Sequence, residues 1–187
     1  MICHDSKSIF IHIPKTGGTS IEKTLRNVKE KNWVHEPDHR NAKDYFNLNA
    51  TQFWRYHKFT VVRDPVEREL SLYRFLVKSP KRKTLSQYLD SIISKDNFYK
   101  NMSKTYHHLF SNQVDYFLIN EQICVDQIIR FEDLQNGFDL LSNTLNIDQK
   151  TLPHLRKTYI KRHVDPDLDE INKIKKIRQK DYDLLGY

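Results

Sequence analysis

The chain has 187 residues, of which 38% are hydrophobic, 12% aromatic and 29% charged. This balance excludes wholesale disorder, collagen-like sequence and low complexity, and suits one domain with a substantial buried core. Thirty-one Lys and Arg against 24 Asp and Glu leave a formal charge of +7, which favours an anionic partner (nucleic acid, anionic membrane, acidic polysaccharide or nucleotide) without choosing among them.

The segment Ser8-Ile9-Phe10-Ile11-His12-Ile13 is rich in β-branched and aromatic residues and predicts a buried strand, ended by Pro14 and the pair Gly17-Gly18. The chain has only 4 glycines, where average usage gives roughly 13, so backbone freedom is concentrated at this pair. Gly137 and Gly186 read as ordinary loop or helix-end positions. A helix is expected over about Thr19 to Val28, then a second strand near Trp33 to His35. Phe59-Thr60-Val61-Val62 predicts another strand, running into Arg63-Asp64-Pro65. There Asp64 serves as N-cap and Pro65 as first residue of a helix through about Val77. Further strands are expected at Tyr116-Phe117-Leu118-Ile119 and Gln127-Ile128-Ile129-Arg130-Phe131, and a helix over Asp133 to Leu145. Leu168, Ile171, Ile174 and Ile177 mark a last helix by their three-residue spacing. Strands alternating with helices imply βαβ units: a P-loop-like three-layer α/β fold, a central parallel sheet flanked by helices, in one domain over residues 1–187.

Cys3 and Cys124 lie in no CxxC or Cys/His spacing, which indicates neither a disulfide framework nor a zinc site. No run approaches the roughly 18 apolar residues that span a bilayer, and no signal-peptide pattern occurs, so the expectation is a cytoplasmic protein with no membrane partner. The basic runs lack a helix-turn-helix, RNA-recognition or OB pattern, which argues against a nucleic-acid partner.

Pro14-Lys15-Thr16-Gly17-Gly18-Thr19-Ser20 joins a predicted strand to a predicted helix, where an anion-binding loop belongs. Glycines let backbone N–H groups converge, the helix N-terminus adds partial positive charge, Lys15 adds a full one, and Thr16, Thr19 and Ser20 supply hydroxyls. The bland alternative is a strand-to-helix turn with its lysine in water. The loop is not the Walker pattern GxxxxGK[ST], because its lysine precedes the glycines, and this disfavours a P-loop metabolite kinase. Arg63 follows a strand at the edge where open α/β sheets bind ligands. Ser71 falls about two turns into the next helix, on the face that looks back toward that edge. An arginine fork plus a hydroxyl suits a second phosphate; the alternative pairs Arg63 with Asp64 or Glu67 and leaves Ser71 in solvent. Two such sites describe a nucleotide phosphorylated at both ends of its ribose.

Lys15-Thr16-Gly17-Gly18-Thr19-Ser20 resembles the 5′-phosphosulfate loop, and Val62-Arg63-Asp64-Pro65-Val66-Glu67-Arg68-Glu69-Leu70-Ser71-Leu72-Tyr73 the 3′-phosphate motif, of sulfotransferases that use 3′-phosphoadenosine 5′-phosphosulfate (PAPS). The likeness is closest to the small carbohydrate-type branch related to 2-O-sulfotransferases. It continues through His39-Arg40-Asn41-Ala42-Lys43, Val125 to Leu134, Leu152-Pro153-His154-Leu155 and Asp181 to Tyr187. One departure is Arg156, where that branch has Asn. The resemblance implies sulfuryl transfer from PAPS to an acceptor hydroxyl of a carbohydrate or other small molecule, leaving 3′-phosphoadenosine 5′-phosphate (PAP). It implies donor binding by Lys15, Thr16, Gly17, Gly18, Thr19, Ser20, Arg63 and Ser71. Lys15 is the candidate cation at the departing oxygen and His39 the candidate general base, with His35 as competitor and His12 packed in the first strand or behind the site. No metal is expected, because a sulfuryl group carries less charge than a terminal phosphoryl group. The basic stretches 78–104 and 154–162 either line a cleft for an acidic sugar or are solvated surface. A PAPS-binding or polyanion-binding module without catalysis is the rival outside enzymology.

Overall fold

The computed structural model describes residues 1–28, 31–34, 39–77, 83–148, 152 and 164–187. In chain order its elements are β1 (Ile2–Cys3), β2 (Ser8–Ile11), α1 (Gly18–Arg26), β3 (Trp33–Val34), α2 (Ala42–Leu48), α3 (Ala50–Arg55), β4 (His57–Val62), α4 (Pro65–Leu76), α5 (Leu85–Ser94) and α6 (Asn97–Tyr106). There follow β5 (Leu118–Ile119), β6 (Gln122–Ile123), β7 (Gln127–Arg130), α7 (Leu134–Leu145), α8 (Leu168–Ile177) and α9 (Gln179–Leu185). Contacts group these into two compact units, Met1–Arg63 with Gln113–Lys157, and Asp64–Asn112 with Thr158–Tyr187.

The first unit is built on a sheet of order β3-β1-β2-β4-β7. The apolar runs expected as strands supply β2, β4 and β7, which pair in parallel with Phe10 opposite Phe59 and Phe59 opposite Gln127. The expected central parallel sheet is present in β2, β4 and β7 and becomes mixed at one side. β1 pairs antiparallel with both β2 and β3, because the four residues between β1 and β2 suffice only for a hairpin, whereas a parallel return needs a crossover. The sheet is therefore mostly parallel rather than wholly so.

Alternate residues of the central strands, Phe10, Phe59, Val61 and Ile129, face Ile21 and Leu25 of α1 and Phe138, Leu141 and Leu145 of α7 in one apolar cluster. Each such side chain, once buried, contributes about 1.5–3 kcal/mol. Gly137 is not in a loop, contrary to expectation. It sits inside α7, where a Cβ would collide with Ile129 Cγ2, so its missing side chain lets the helix lie close on β7. Gly186 follows α9 at φ +66°, a helix-end position as expected.

Tyr116 to Ile119 does not form one strand. Residues 114–116 make a 3₁₀ turn, and β5 pairs only with β6 in a separate hairpin. Its connecting residues Asn120 and Glu121 both have positive φ, 50° and 61°, which suits a tight two-residue turn. A short apolar run records burial but not the partner strand.

The second unit is helical. Asp64 accepts from the Glu67 N–H with Pro65 in the first turn, as the sequence predicts, and Thr84 with Gln87 and Asp167 with Glu170 form capping boxes. Leu70, Tyr73, Leu85, Tyr88, Leu89 and Ile174 make its core. Within it Arg178 Nε donates to Glu69 Oε2 at 2.7 Å, and the Tyr88 hydroxyl donates to Glu69 Oε1 at 2.7 Å. Burial first, and the Glu69 charge second, hold the Tyr88 phenol well above its ordinary range. Arg178 Nη1 also donates to the carbonyl oxygens of Phe110 and Ser111.

Candidate active site

Three strand ends of the first unit converge on the loop that follows β2. Lys15 has φ +71° and Gly17 φ +85°, a left-handed pair that turns the chain from strand into helix. Thr16 is fully buried and its hydroxyl donates to the Ile13 carbonyl at 2.9 Å, so its side chain closes the loop and its proton is directed inward. Gly17 is the N-cap of α1 and supplies no side-chain cap. The helix therefore opens with uncapped N–H groups at Gly18 and Thr19, a positive end suited to an anion. Ser20 is buried and its N–H donates to the Gly17 carbonyl at 3.0 Å.

The glycine pair has a second reason beyond backbone approach to a ligand. A Cβ on Gly17 would stand 2.7 Å from Phe131 Cε2, and one on Gly18 would strike the His12 ring. Both glycines thus give room to aromatic side chains that wall the loop.

Arg63, the residue after β4, comes to this loop. Its guanidinium lies 4.4 Å from the centre of the Phe131 ring, and its Nη1 is 3.5 Å from the Lys15 carbonyl oxygen. Its main chain is held on both sides by the buried Gln113. The Arg63 N–H donates to Gln113 Oε1 at 2.8 Å, and Gln113 Nε2 donates to the Arg63 carbonyl at 2.8 Å. Neither Gln113 nor the Phe131 ring was assigned a role from sequence. Phe131 carried a usable signal, an aromatic directly after a strand; Gln113 carried none, because one polar residue does not reveal that it is buried.

His39 stands before α2 at φ +42°. Its Nδ1–H donates to the His12 carbonyl at 3.0 Å, since a carbonyl oxygen only accepts, and in the neutral ring Nε2 is then the basic nitrogen. The His12 and His39 rings meet edge to face with centres 4.5 Å apart. His12 lies one residue beyond β2, at the loop rather than within the strand, and its Nδ1 is 3.0 Å from Glu22 Oε1 on α1. Lys15, Thr16, Gly17, Gly18, Thr19, Ser20, Arg63 and His39 all belong to the first unit, whereas Ser71 is a partly buried residue of α4 in the second. His35 and the segment 153–158 lie outside the described residues.

A family model described as the Sulfotransferase family matches residues 1–187, the full length of the chain. The chain belongs to the Sulfotransferase family. Neither a curated protein nor a solved structure matches it. Membership makes the chain a transferase of sulfuryl groups, with a nucleotide as the donor class and a hydroxyl as the acceptor class. The loop of this sulfotransferase fits such a donor chemically: uncapped N–H groups lie beside Lys15 and Arg63, while the Thr16 hydroxyl, expected to face a ligand, is instead spent on the Ile13 carbonyl. Among the described residues no helix is long and apolar enough to cross a membrane.

Proposed function

We infer that this sulfotransferase moves a sulfuryl group from PAPS to a hydroxyl of a carbohydrate, leaving PAP. The observation that supports this reading is the approach of Arg63 to the Lys15 carbonyl beside the uncapped start of α1. In-line attack at sulfur builds negative charge on the departing bridging oxygen. Lys15 and the N–H groups of the loop answer that charge, and no metal enters the scheme. Arg63 and Ser71 are assigned to the 3′-phosphate on the strength of their sequence motif. His39 takes the acceptor proton at Nε2, with its Nδ1–H committed to the His12 carbonyl. An acidic sugar suits the basic surplus of the chain. A P-loop-like fold and a cytoplasmic setting belong to the same reading, the latter on the buried free thiols of Cys3 and Cys124.

The test is incubation with mass-tagged PAPS and a library of glycans and small hydroxyl compounds. His39→Ala is expected to lower turnover by about 10²–10⁴-fold, and Lys15→Ala by about 10²–10³-fold. Wild-type turnover by His39→Ala at saturating acceptor would sink the assignment of the base. PAPS binding without transfer to any acceptor would favour a binding module instead.

A further inference from the structure

His12 joins the donor site by position rather than by motif. We propose that its Nε2 contacts the sulfuryl group carried by the nucleotide, with Glu22 as the residue that orients the ring; this rests on the PAPS reading above. Three observations converge. First, Nδ1–H donates to Glu22 Oε1 at 3.0 Å, with the two side chains only 12% and 15% exposed. A carboxylate accepts and never donates, so the proton sits on Nδ1 and the ring is held in one rotation. Second, the ring's hydrogen bond among the described residues is made at Nδ1, which leaves Nε2 at the other edge of the ring. The ring edge that carries it lies against Gly18, the first residue of α1, so closely that a Cβ there would collide with Cδ2 and Nε2. Third, the ring meets His39 at 4.5 Å between centres.

His12 therefore stands between the loop that receives the donor and the histidine assigned to take the acceptor proton. The sulfur atom must pass between those two groups in an in-line transfer. A sulfuryl oxygen only accepts, so in this contact Nε2–H is the donor and Glu22 is the counter-charge at the other ring nitrogen. No proton or covalent bond is transferred by His12. Among the described residues, Glu22 from α1 and His39 from the segment ahead of α2 are the titratable groups against the ring, and Phe10 of β2 stacks on it at 5.5 Å and carries no charge.

PAP keeps both phosphates and lacks the sulfuryl group, so calorimetry with PAPS and PAP isolates this contact without an acceptor. His12→Ala is expected to weaken PAPS by about 10-fold or more and PAP by less than about 3-fold. In His12→Gln the side-chain amide reaches about the place of Nε2, and most of the PAPS affinity returns. Glu22→Gln is expected to weaken PAPS by about 3-fold or more, again with PAP little changed, and it carries the test should His12→Ala fail to fold. Equal losses for both ligands, or no loss for PAPS, overturn the proposal and leave His12 a packing residue. If the wild-type protein binds neither ligand, the PAPS reading itself fails, an outcome distinct from loss of the His12 contact alone.

Discussion

Replacing Arg63 by alanine separates the nucleotide clamp from ordinary packing. Among the contacts of its side chain are a stack on Phe131 at 4.4 Å and a long hydrogen bond to the Lys15 carbonyl at 3.5 Å. Neither is strong: a partly exposed cation–π contact contributes about 0.5–1 kcal/mol, and a bond at the limit of hydrogen-bonding distance adds little. The main chain at residue 63 is held independently by Gln113, so the variant is expected to keep its local fold. A charged hydrogen bond to a phosphate, by contrast, contributes about 1.5–3 kcal/mol, or roughly a 10- to 150-fold change in dissociation constant. Calorimetric titration with PAP and with adenosine 5′-monophosphate, which lacks the 3′-phosphate, reads the difference. Wild-type protein is expected to prefer PAP, and Arg63→Ala to lose that preference while binding the monophosphate nearly as before. Arg63→Lys keeps a charge but not the planar fork, and is expected to fall between them. An unchanged dissociation constant for PAP in Arg63→Ala, or equal losses for both nucleotides, would refute the assignment to the 3′-phosphate.

In the second unit, Glu69→Gln removes the carboxylate bonded by both Arg178 and Tyr88 while the buried Asp181 still acts on Arg178, and it is expected to cost about 3 kcal/mol in urea denaturation. The double variant with Arg178→Met should recover part of that loss; a cost below about 1 kcal/mol for Glu69→Gln, or strict additivity in the double variant, would show that the pair is not coupled. Asp126 accepts from the Lys58 N–H at 2.7 Å and from Lys58 Nζ at 2.9 Å. Desolvation pushes its carboxyl up, but these bonds and the Lys58 charge together outweigh it and hold the group below its ordinary value. A carboxyl depressed in the folded state contributes stability that is present above its unfolded value near pH 4 and lost as pH falls through the folded one. The wild-type urea midpoint should therefore fall below about pH 4 more steeply than that of Asp126→Asn; parallel curves would contradict the shift.

The central strands were legible because burial on both faces demands nearly continuous apolar runs, as in Ser8–Ile11 and the second half of His57–Val62, whereas Gln127–Arg130 showed itself only by Ile128-Ile129, of which Ile129 alone is buried. Asp64-Pro65 was legible for a different reason, since capping and a fixed proline φ act within one turn of chain. The loop at Lys15 to Ser20 announced itself by glycine placement, residue type and resemblance alike. Illegible were the features that depend on which distant segments meet. Ile2–Cys3 is too short to show a period, and Tyr116 to Ile119 is as apolar as a sheet strand yet pairs only with its own hairpin.

The sequence by itself determined the family, the class of chemistry and the positions of the two motifs, because these rest on residue type and local spacing. Only the tertiary structure decided what surrounds them. Phe131 walls Gly17 and stacks on Arg63 from 68 residues away along the chain. Gln113 holds the Arg63 main chain across 50 residues. His12 lies on Gly18 with its proton fixed by Glu22, while its carbonyl orients His39. Such contacts follow from parallel strands bringing their ends together, and no local pattern encodes which side chains will then touch.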